Sequence, residues 1–340
     1  MARIGTVIRD VYRRPGGEAL PAHLAQHYGV RVTATTKLMP GVYKVERHEG
    51  PAWVARMFLI GRPVERAEED AEVLRFLQRC DIPAERCAHA APVSWLDGRA
   101  VLVTEYIEGK PLPAIPTARR ALGDMLGRLQ ALPTEPGPTE RPAGSLHHLP
   151  DYEGYPSQDL AAAAALLADL EGRVPAEHER TYEAIRELLG RGDDGRGLPE
   201  AFIHPDPVPT NVISTPTGPV LVDWTGAGRG PRLASLAALL GALGPKHVDD
   251  VLAGYSAHAA LTAEETDRLE GVLWARALWL ASWQCWLAAV SSKVDNAFVP
   301  DGARIAAVAA AARARAPRLP PNHAKKDQPG CATGCGRRRR

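Results

Sequence analysis

The segment HPDPVPTN places a histidine, an aspartate and an asparagine at positions 204, 206 and 211, and a second aspartate follows at position 223. The stretches NVIST and PVLVDW are β-rich and flank the turn-forming PTG, which predicts a β hairpin. Such a hairpin brings Asn211 and Asp223 to the same end of two paired strands. An amide oxygen beside a carboxylate suits Mg²⁺, a hard cation that prefers oxygen ligands. The spacing therefore predicts a magnesium site at this end of the hairpin.

Asp206 lies five residues before Asn211, in a loop with three prolines at alternate positions. Each proline fixes its own φ, so the loop loses freedom and Asp206 is placed in advance. Such placement helps where catalysis is mainly positioning, and Asp206 would then face the hydroxyl of an acceptor. A His–Asp pair in a proline-rich loop is more often a turn or cap device. Four polar residues, His204, Asp206, Asn211 and Asp223, lie within this short stretch, and apolar strands separate the last two. This arrangement favours a catalytic site instead.

The end of the same stretch, VLVDWTGAGRG, has a competing interpretation as a strand that runs into a dinucleotide-binding turn. Its glycines at positions 226, 228 and 230 give G-x-G-x-G, one residue short of G-x-G-x-x-G. The sequence beyond them shows no second parallel strand with an acidic residue to hold a ribose. The glycines therefore predict a turn that carries the chain from Asp223 into the next helix.

The elements around this site predict an α+β protein, with a small β-rich lobe before a larger helical lobe. The β-rich runs lie near 31–36, 42–47 and 53–59, and again at 91–96 and 100–107, with an amphipathic helix at 64–80 among them. The predicted divisions are an N-terminal lobe at 1–107 that begins with short helices at 1–30, a linker at 108–116, a C-terminal lobe at 117–315 and a disordered basic tail at 316–340.

The overall charge and composition exclude several classes of partner. A net charge of +1 on 340 residues provides no field that would attract nucleic acid or an anionic membrane. The apolar segment 271–290 is nearly long enough to cross a bilayer, but Arg276 and Gln284 interrupt it, which predicts a buried helix. The N-terminus lacks a signal-peptide pattern, and scattered cysteines suit a reducing compartment. We therefore expect a cytoplasmic protein that binds neither nucleic acid nor membrane.

These motifs resemble the aminoglycoside phosphotransferase-like family, the small-molecule kinases related to choline and homoserine kinases. The loop of that family typically reads H-G-D-x-x-P-x-N, and a strand ending in I-D-W follows it; HPDPVPTN and LVDW stand in those places. The likeness runs from about residue 31 to 300 and implies a protein-kinase-like fold of two lobes. Pro205 departs from a frequent glycine, and Ser235 from a frequent aspartate, which we expect Ser235 to replace as a helix cap.

The resemblance also implies residues that bind the nucleotide. The third strand should carry a cation for the phosphates, and WVARMF offers Arg56. The following helix should carry an acid to hold that cation; Asp70 fits, and its neighbours Glu69 and Glu72 stay open as alternatives. An ion pair at the surface of an acidic helix is the plainer interpretation of such residues.

Two backbone segments are expected to contact the nucleotide as well. By the same resemblance, the hinge that pairs with adenine lies in VLVTEYIEGKPL, at Glu105, Tyr106 and Ile107. The loop over the phosphates lies in TTKLMPGVY, where Gly41 is its single glycine.

The implied activity is transfer of the γ-phosphoryl group from ATP, or from GTP in its place, to a hydroxyl of a small molecule. Asp206 would orient the hydroxyl and take its proton, while Asn211 and Asp223 would hold Mg²⁺ across the phosphates. Arg56 would neutralise phosphate charge, and His204 would brace the loop. An antibiotic, an amino alcohol and a sugar stay open as acceptors, and the oligomeric state stays unknown.

A catalytically weak or inactive nucleotide-binding regulator is the alternative. Arg56 in place of the usual lysine favours it, because a planar guanidinium is not equivalent to an ammonium group. Retention of Asp206, Asn211 and Asp223 together argues against it, since a protein that only binds nucleotide needs no base.

The acceptor pocket is expected between helices of the larger lobe, near 150–190 and 245–300. Acids would line it for a cationic acceptor, because a buried cation needs partners. The candidate acids are Asp151, Glu153 and Asp159. A tryptophan stripe at helical spacing is more often core than ligand cage. That stripe consists of Trp279, Trp283 and Trp286.

Overall fold

The computed structural model describes residues 17–60, 62–133, 140–144, 157–290 and 297–315. The predicted basic tail at 316–340 and the first part of the predicted N-terminal helices lie outside the described residues. The second part contains helix α1, Leu20–Tyr28. Leu20 and Leu24 of this helix are fully buried against the sheet described next.

A five-stranded antiparallel sheet forms the β-rich region, in the order β1-β2-β3-β5-β4. Its strands are β1 (Val32–Met39), β2 (Val42–Arg47), β3 (Trp53–Met57), β4 (Val93–Leu96) and β5 (Arg99–Glu105). Asp97 and Gly98 both have positive φ, 48° and 76°, so the predicted Asp-Gly hairpin turn between β4 and β5 is confirmed.

The two faces of this sheet carry different side chains because residues alternate along each strand. On β3, Trp53, Ala55 and Met57 are buried in the cluster beneath α1, and Arg56 lies on the opposite face. Helix α2, Val64–Arg79, follows β3 and buries one apolar stripe in the larger core of the molecule.

The second half of the described chain is mainly helical, and its long apolar helix is buried. The helices are α3 (Pro116–Gln130), α4 (Ser157–Leu170), α5 (Glu179–Leu188), α6 (Arg232–Leu243), α7 (Val248–Tyr255), α8 (Ala263–Val290) and α9 (Gly302–Arg315). Trp279 and Trp286 of α8 lie in the core, and Trp283 packs against it, so the core interpretation of this stripe is confirmed. Within the described part of the chain, no helix combines the length and apolar character needed to cross a bilayer.

Glycines allow α3 and α7 to pack at very short range. A Cβ at Gly123 would lie 2.0 Å from the carbonyl oxygen of Val251, and one at Gly254 would lie 2.0 Å from that of Arg120. Side chains at these positions would therefore force the helices apart, so the contact depends on glycine from both sides.

Short strands within the helical region build the frame of the site. Strand β6 (Lys110–Pro111) pairs with β8 (Val212–Thr215), which pairs with β9 (Gly218–Leu221). Strand β7 (Glu200–Ile203) pairs with β10 (Gly228–Pro231). The prediction that the glycines are simply a turn is thus wrong in part, because Gly228 and Gly230 lie in a strand. A Cβ at Gly228 would lie 2.3 Å from the carbonyl oxygen of Arg141, which explains the glycine there.

The predicted α+β class is confirmed: a β-sheet region with a packed helix precedes a mainly helical region. The exact ends of the two lobes and of the linker at 108–116 stay a prediction.

Candidate active site

His204 fixes the loop that carries Asp206. It follows β7 and is fully buried. Its Nδ1 accepts a hydrogen bond of 3.0 Å from the backbone N–H of Asp206, and its Nε2 lies 3.2 Å from the carbonyl oxygen of Val222. Burial lowers the pKa of His204, so a neutral ring that donates from Nε2 satisfies both bonds. The imidazole thus joins the loop to the residue before Asp223.

Two further residues support His204. The hydroxyl of Ser235 donates a hydrogen bond of 2.6 Å to the His204 carbonyl oxygen, and the Trp224 ring packs edge-on at 4.8 Å between centroids. The prediction that Ser235 caps a helix is wrong, because α6 begins at Arg232 and Ser235 lies beyond the first three N–H groups. Its side chain donates to the loop instead of accepting from the helix.

The side chain of Asp206 is held from two directions. The amide nitrogen of Asn211 donates to its Oδ2 at 3.0 Å and to its backbone oxygen at 2.9 Å. A guanidinium nitrogen of Arg276 lies 2.8 Å from its Oδ1. Because the amide nitrogen of Asn211 is engaged here, its amide oxygen is the atom that can coordinate a cation.

Arg276 is a site residue that the sequence analysis treated only as an interruption of an apolar helix. It also lies 3.8 Å from Asp159, so its guanidinium bridges two carboxylates. Helix α8 is largely apolar around its circumference, and its sequence therefore does not reveal which side faces Asp206. The other candidate acids for the acceptor, Asp151 and Glu153, lie outside the described residues.

The predicted hairpin between Asn211 and Asp223 is confirmed. Val212 pairs with Leu221, and the N–H of Val222 donates to the carbonyl oxygen of Asn211 at 2.9 Å. Asn211 and Asp223 therefore lie at the same end of the two strands. Asp223 has a φ of 67°, a left-handed conformation that is uncommon outside glycine and often marks functional positions.

Arg56 contacts Asp223 rather than the predicted Asp70. Its Nη1 lies 3.0 Å from Oδ1 of Asp223. Burial opposes the charge of Arg56, but the nearby carboxylates of Asp223, Glu85 and Asp70 outweigh that effect and raise the pKa of its guanidinium. The predicted cation, Arg56, does lie at the hairpin end. The prediction that Asp70 is its direct partner is wrong, because that partner is Asp223.

Asp70 is held in a buried ion cluster of its own. Its two oxygens lie 2.7 Å from Arg62 and 2.8 Å from Arg141. Arg141 also donates from Nε to the carbonyl oxygen of Ala227 at 2.6 Å, which links α2 to the turn after Asp223. Asp70 thus pairs with these two arginines, and it acts on Arg56 only as a nearby charge.

The open alternatives for a partner of Arg56 are also engaged elsewhere. Glu69 lies 3.7 Å from Arg141, and Glu72 forms an ion pair with Arg75 on the exposed side of α2.

Glu85 is the acidic residue that the sequence analysis missed. It lies in the loop that connects α2 to β4, and it is buried. Its Oε1 accepts a hydrogen bond of 2.6 Å from the N–H of Asp223. The Thr104 hydroxyl donates to its Oε2 at 3.2 Å. Burial raises the pKa of Glu85 against the opposing influence of Arg56. No motif surrounds Glu85, and only the fold brings it to Asp223.

The expected nucleotide loop is much tighter than predicted. Strand β1 continues to Met39 and pairs with Val42, so Pro40 and Gly41 form a two-residue turn. Gly41 has a φ of 77°, and its carbonyl oxygen accepts from the N–H of Met57 at 2.7 Å. Pro-Gly fits a turn that needs a positive φ at its second position. The turn lies beside Arg56, the residue before Met57.

At the predicted hinge, two backbone donors are already engaged. The N–H of Glu105 donates to Arg86 at 2.8 Å, and the N–H of Tyr106 donates to Ala52 at 2.9 Å. These two N–H groups are therefore not available to pair with an adenine.

The oxygen atoms at the hairpin end fit Mg²⁺ in the manner of a nucleotide site. Asn211 and Asp223 supply one amide and one carboxylate, and among the described residues no cluster of three or more His, Cys, Asp or Glu could hold a metal. Mg²⁺ is commonly held by one or two carboxylates together with substrate phosphates. The ion pair between Arg56 and Asp223 shows that a cation can bind to this carboxylate.

A cavity of about 660 Å³, lined in part by Asp206, opens between α6, α8 and α9. Leu273, Ala277 and Ile305 are among the residues that line it. Its volume lies within the range of small-molecule sites, about 300–1,000 Å³. Asp206 thus lines this cavity and also contacts Asn211 at the hairpin end.

Three solved structures share this fold. A spectinomycin phosphotransferase in complex with ADP and spectinomycin is 13% identical, with a TM-score of 0.59 over 87% of this chain and 98% of that chain. The choline kinase of Streptococcus pneumoniae is 17% identical, with a TM-score of 0.58 over 86% and 98%. An amicoumacin kinase in complex with AMP-PNP and Ca²⁺ is 14% identical, with a TM-score of 0.60 over 90% and 96%. These similarities confirm the predicted kinase-like fold.

No curated protein matches the sequence. The phosphotransferase enzyme family, in contrast, matches residues 40–272, more than half of the chain. The resemblance noted from HPDPVPTN and LVDW is thereby confirmed, and so is the predicted enzyme class, a small-molecule phosphotransferase with an alcohol group as acceptor. The chain belongs to the phosphotransferase enzyme family.

Proposed function

We propose that this protein transfers the γ-phosphoryl group of ATP to the hydroxyl of a small molecule. The observation that carries the proposal is the joint placement of Asp206, Asn211 and Asp223. Asn211 donates to Asp206 at 3.0 Å, and its strand pairs with the strand that leads to Asp223. One carboxylate therefore faces the cavity, while the other lies beside an amide oxygen and the cation Arg56.

The proposed mechanism divides the work between these residues. Asp206 orients the acceptor hydroxyl and takes its proton, which requires that one carboxylate oxygen be released by Arg276. Asn211 and Asp223 hold Mg²⁺, which when bound neutralises charge on the phosphates. Arg56 neutralises further phosphate charge, and Glu85 holds the backbone of Asp223. His204 fixes the loop and is not the base, since both ring nitrogens are engaged by backbone groups.

ATP is the proposed donor and GTP the alternative donor. Two of the solved structures that share the fold hold adenine nucleotides, ADP in one and AMP-PNP with Ca²⁺ in the other. Their names give spectinomycin, choline and amicoumacin as acceptors, all small molecules. The hinge groups left available here, the Glu105 carbonyl oxygen and the Ile107 N–H, form the donor–acceptor pair that an adenine edge requires.

A nucleotide-binding regulator without turnover is the second candidate, and one observation favours it. Both carboxylates of the site carry a guanidinium, Arg276 at 2.8 Å from Asp206 and Arg56 at 3.0 Å from Asp223. In a regulator these pairs would persist when nucleotide binds.

The release of ADP separates the two candidates. The purified protein is incubated with ATP and Mg²⁺, with and without a panel of hydroxyl compounds, and ADP is measured by a coupled assay. A phosphotransferase releases ADP in proportion to acceptor and loses this release when EDTA removes Mg²⁺. Binding of ATP without acceptor-dependent ADP release from any member of the panel would support the regulator instead.

A further inference from the structure

The cavity beside Asp206 is lined mainly by hydrocarbon. Its apolar wall comes from α6, from α8, and from α9 together with the segment that leads into α9. Representative lining residues are Leu273, Ala277, Leu280, Phe298, Val299 and Ile305. An apolar wall of this size removes ligand surface from water and provides few hydrogen-bonding groups, so it favours a ligand with a large hydrocarbon body.

The rim of the same cavity exposes large apolar side chains. Leu280 is 40% exposed, Phe298 is 41% exposed and Val299 is 42% exposed. Leu280 lies on α8, and the other two precede α9, so they approach the opening from two sides. Contiguous exposed apolar side chains beside a cavity are typical of ligand-binding grooves.

Each described carboxylate of the lining already has a structural partner. Asp206 accepts from Asn211 and Arg276. Asp301 accepts from the backbone N–H of Arg304 at 3.0 Å, which makes it the cap of α9. Apart from these two, the lining that the structure describes contains no carboxylate.

The described lining also carries positive charge. The guanidinium of Arg304 donates to two carbonyl oxygens at the end of α6, at 3.2 Å and 3.3 Å, and Arg276 lies at the other end of the cavity. The two carboxylates of this lining, Asp206 and Asp301, are matched in number by these two guanidinium groups, so an ammonium group that entered would lose its hydration and find no excess of negative charge in the lining. Burial of a charge without a partner is strongly unfavourable, so these residues select against cationic acceptors.

We infer that the acceptor is an uncharged alcohol with a mainly apolar body, which lies in this cavity with its hydroxyl at Asp206. This inference rests on the proposed phosphotransferase activity. In the reaction the acceptor O–H proton passes to Asp206, and the acceptor oxygen forms a bond to the γ-phosphorus of ATP. The bond between that phosphorus and the bridging oxygen breaks, and ADP leaves. Arg276 releases Oδ1 of Asp206 for this step, while Asn211 retains its contact with Oδ2 and keeps the carboxylate in place.

A matched pair of alcohols tests the inference. Cyclohexanemethanol and 4-(aminomethyl)cyclohexanemethanol share a ring and a hydroxyl, and they differ in one aminomethyl group, which is a cation at neutral pH. We expect the neutral alcohol to have the higher kcat/KM for ADP release, by at least about tenfold, because the ammonium group is not neutralised in the cavity. A preference for the amine, for choline or for spectinomycin would overturn the inference and leave the proposed function intact.

Cavity variants show whether the alcohol binds where we infer. Ala277→Trp fills the cavity, and Phe298→Ala removes part of its exposed wall with little risk to folding. Ala253→Trp is the matched control, since it places the same side chain on the exposed face of α7. Both cavity variants should raise KM for the alcohol and keep the thermal shift with ATP and Mg²⁺. Unchanged KM in both would overturn the inference.

A fluorescent probe tests the cavity without any turnover. The uncharged apolar dye Nile red should bind the native protein and Ala253→Trp, and it should lose binding in Ala277→Trp. If neither alcohol releases ADP, this pattern still supports the apolar site, while equal fluorescence in all three proteins overturns it. Absence of a thermal shift with ATP and Mg²⁺ would instead contradict the proposed function.

Discussion

The two sides of Asp206 differ sharply in chemistry. On the hairpin side, Arg56, Glu85 and Asp223 are joined by an ion pair and a hydrogen bond, and charge is neutralised by charge. On the cavity side, hydrocarbon lines a space of about 660 Å³. Fixed charges suit a triphosphate, which carries the same charged groups in ATP and GTP, whereas an apolar cavity discriminates weakly and depends on the shape of its ligand. From this contrast we expect donor and acceptor specificity to reside in separate parts of the molecule.

Replacement of Asp206, where the two sides meet, should have the largest effect. Asp206→Asn keeps the shape of the side chain but cannot take a proton. We expect kcat for ADP release to fall by about 10²–10⁴-fold, the usual contribution of a positioned base. The affinity for ATP should stay unchanged, since the hairpin side is intact. Steady-state kinetics and calorimetry measure the two quantities.

Asp267→Asn, at an exposed position of α8, is the control for this change. Loss of ATP binding in Asp206→Asn would show that Asp206 contributes to the nucleotide site. An unchanged kcat would show that Asp206 is not the base.

The buried cluster of Asp70, Arg62 and Arg141 tests whether all charged residues near the hairpin end bind the nucleotide or whether some only stabilise the fold. Asp70→Asn leaves Arg62 and Arg141 buried without their carboxylate. We expect the free energy of unfolding to fall by about 3–5 kcal/mol, as for other broken buried ion pairs. Urea denaturation measures it. Glu72→Gln, on the exposed side of the same helix, should change it by less than about 1 kcal/mol.

ATP affinity of the same variant decides the role of Asp70. Unchanged affinity is expected if the cluster is structural, because Arg56 contacts Asp223. Weaker ATP binding at unchanged stability would restore the pairing of Asp70 with Arg56 that the sequence predicted.

Glu85 tests how the hairpin side holds Asp223 in its left-handed conformation. Glu85→Ala leaves the N–H of Asp223 buried without its acceptor, which should cost about 1–3 kcal/mol of unfolding free energy. Glu85→Gln keeps an oxygen acceptor and should cost less. Both are measured by urea denaturation, together with the Mg²⁺ dependence of ATP binding. Equal stability of the two variants would mean that the hydrogen bond to Asp223 contributes little.

The smallest predicted effect is a pH dependence from His204. Burial lowers the pKa of this imidazole in the folded state, whereas the unfolded chain protonates near its ordinary pKa of about 6.5. The unfolded state therefore binds more protons below that pH, and stability falls as the pH drops through this window. The slope from His204 is at most about 1.4 kcal/mol per pH unit. Denaturation between about pH 8 and pH 5 should show a shallower slope in His204→Gln; an identical slope would contradict the prediction.

Residues that lie close together in the chain were predictable, and residues that only the fold brings together were not. The hairpin that aligns Asn211 with Asp223 follows from two β-rich runs and a turn within a few residues. Glu85 and Arg276 carry no such local signal, since one lies in a loop and the other in an apolar helix. Their places depend on packing between distant elements, and so does the partner of Asp70.

The most direct test of a nucleotide site at the hairpin end is a thermal shift with ATP, with and without Mg²⁺, on the native protein and on Asp223→Ala. Asp223→Ala leaves Arg56 without its partner and so changes the melting temperature by itself. The quantity compared between the two proteins is therefore the rise in melting temperature that ATP causes in each. At a hundred times its dissociation constant, ATP should stabilise the native protein by about 2.7 kcal/mol. We predict a shift that requires Mg²⁺ and is lost in Asp223→Ala. No shift with ATP or GTP in the native protein, or an equal shift in the variant, would contradict the site.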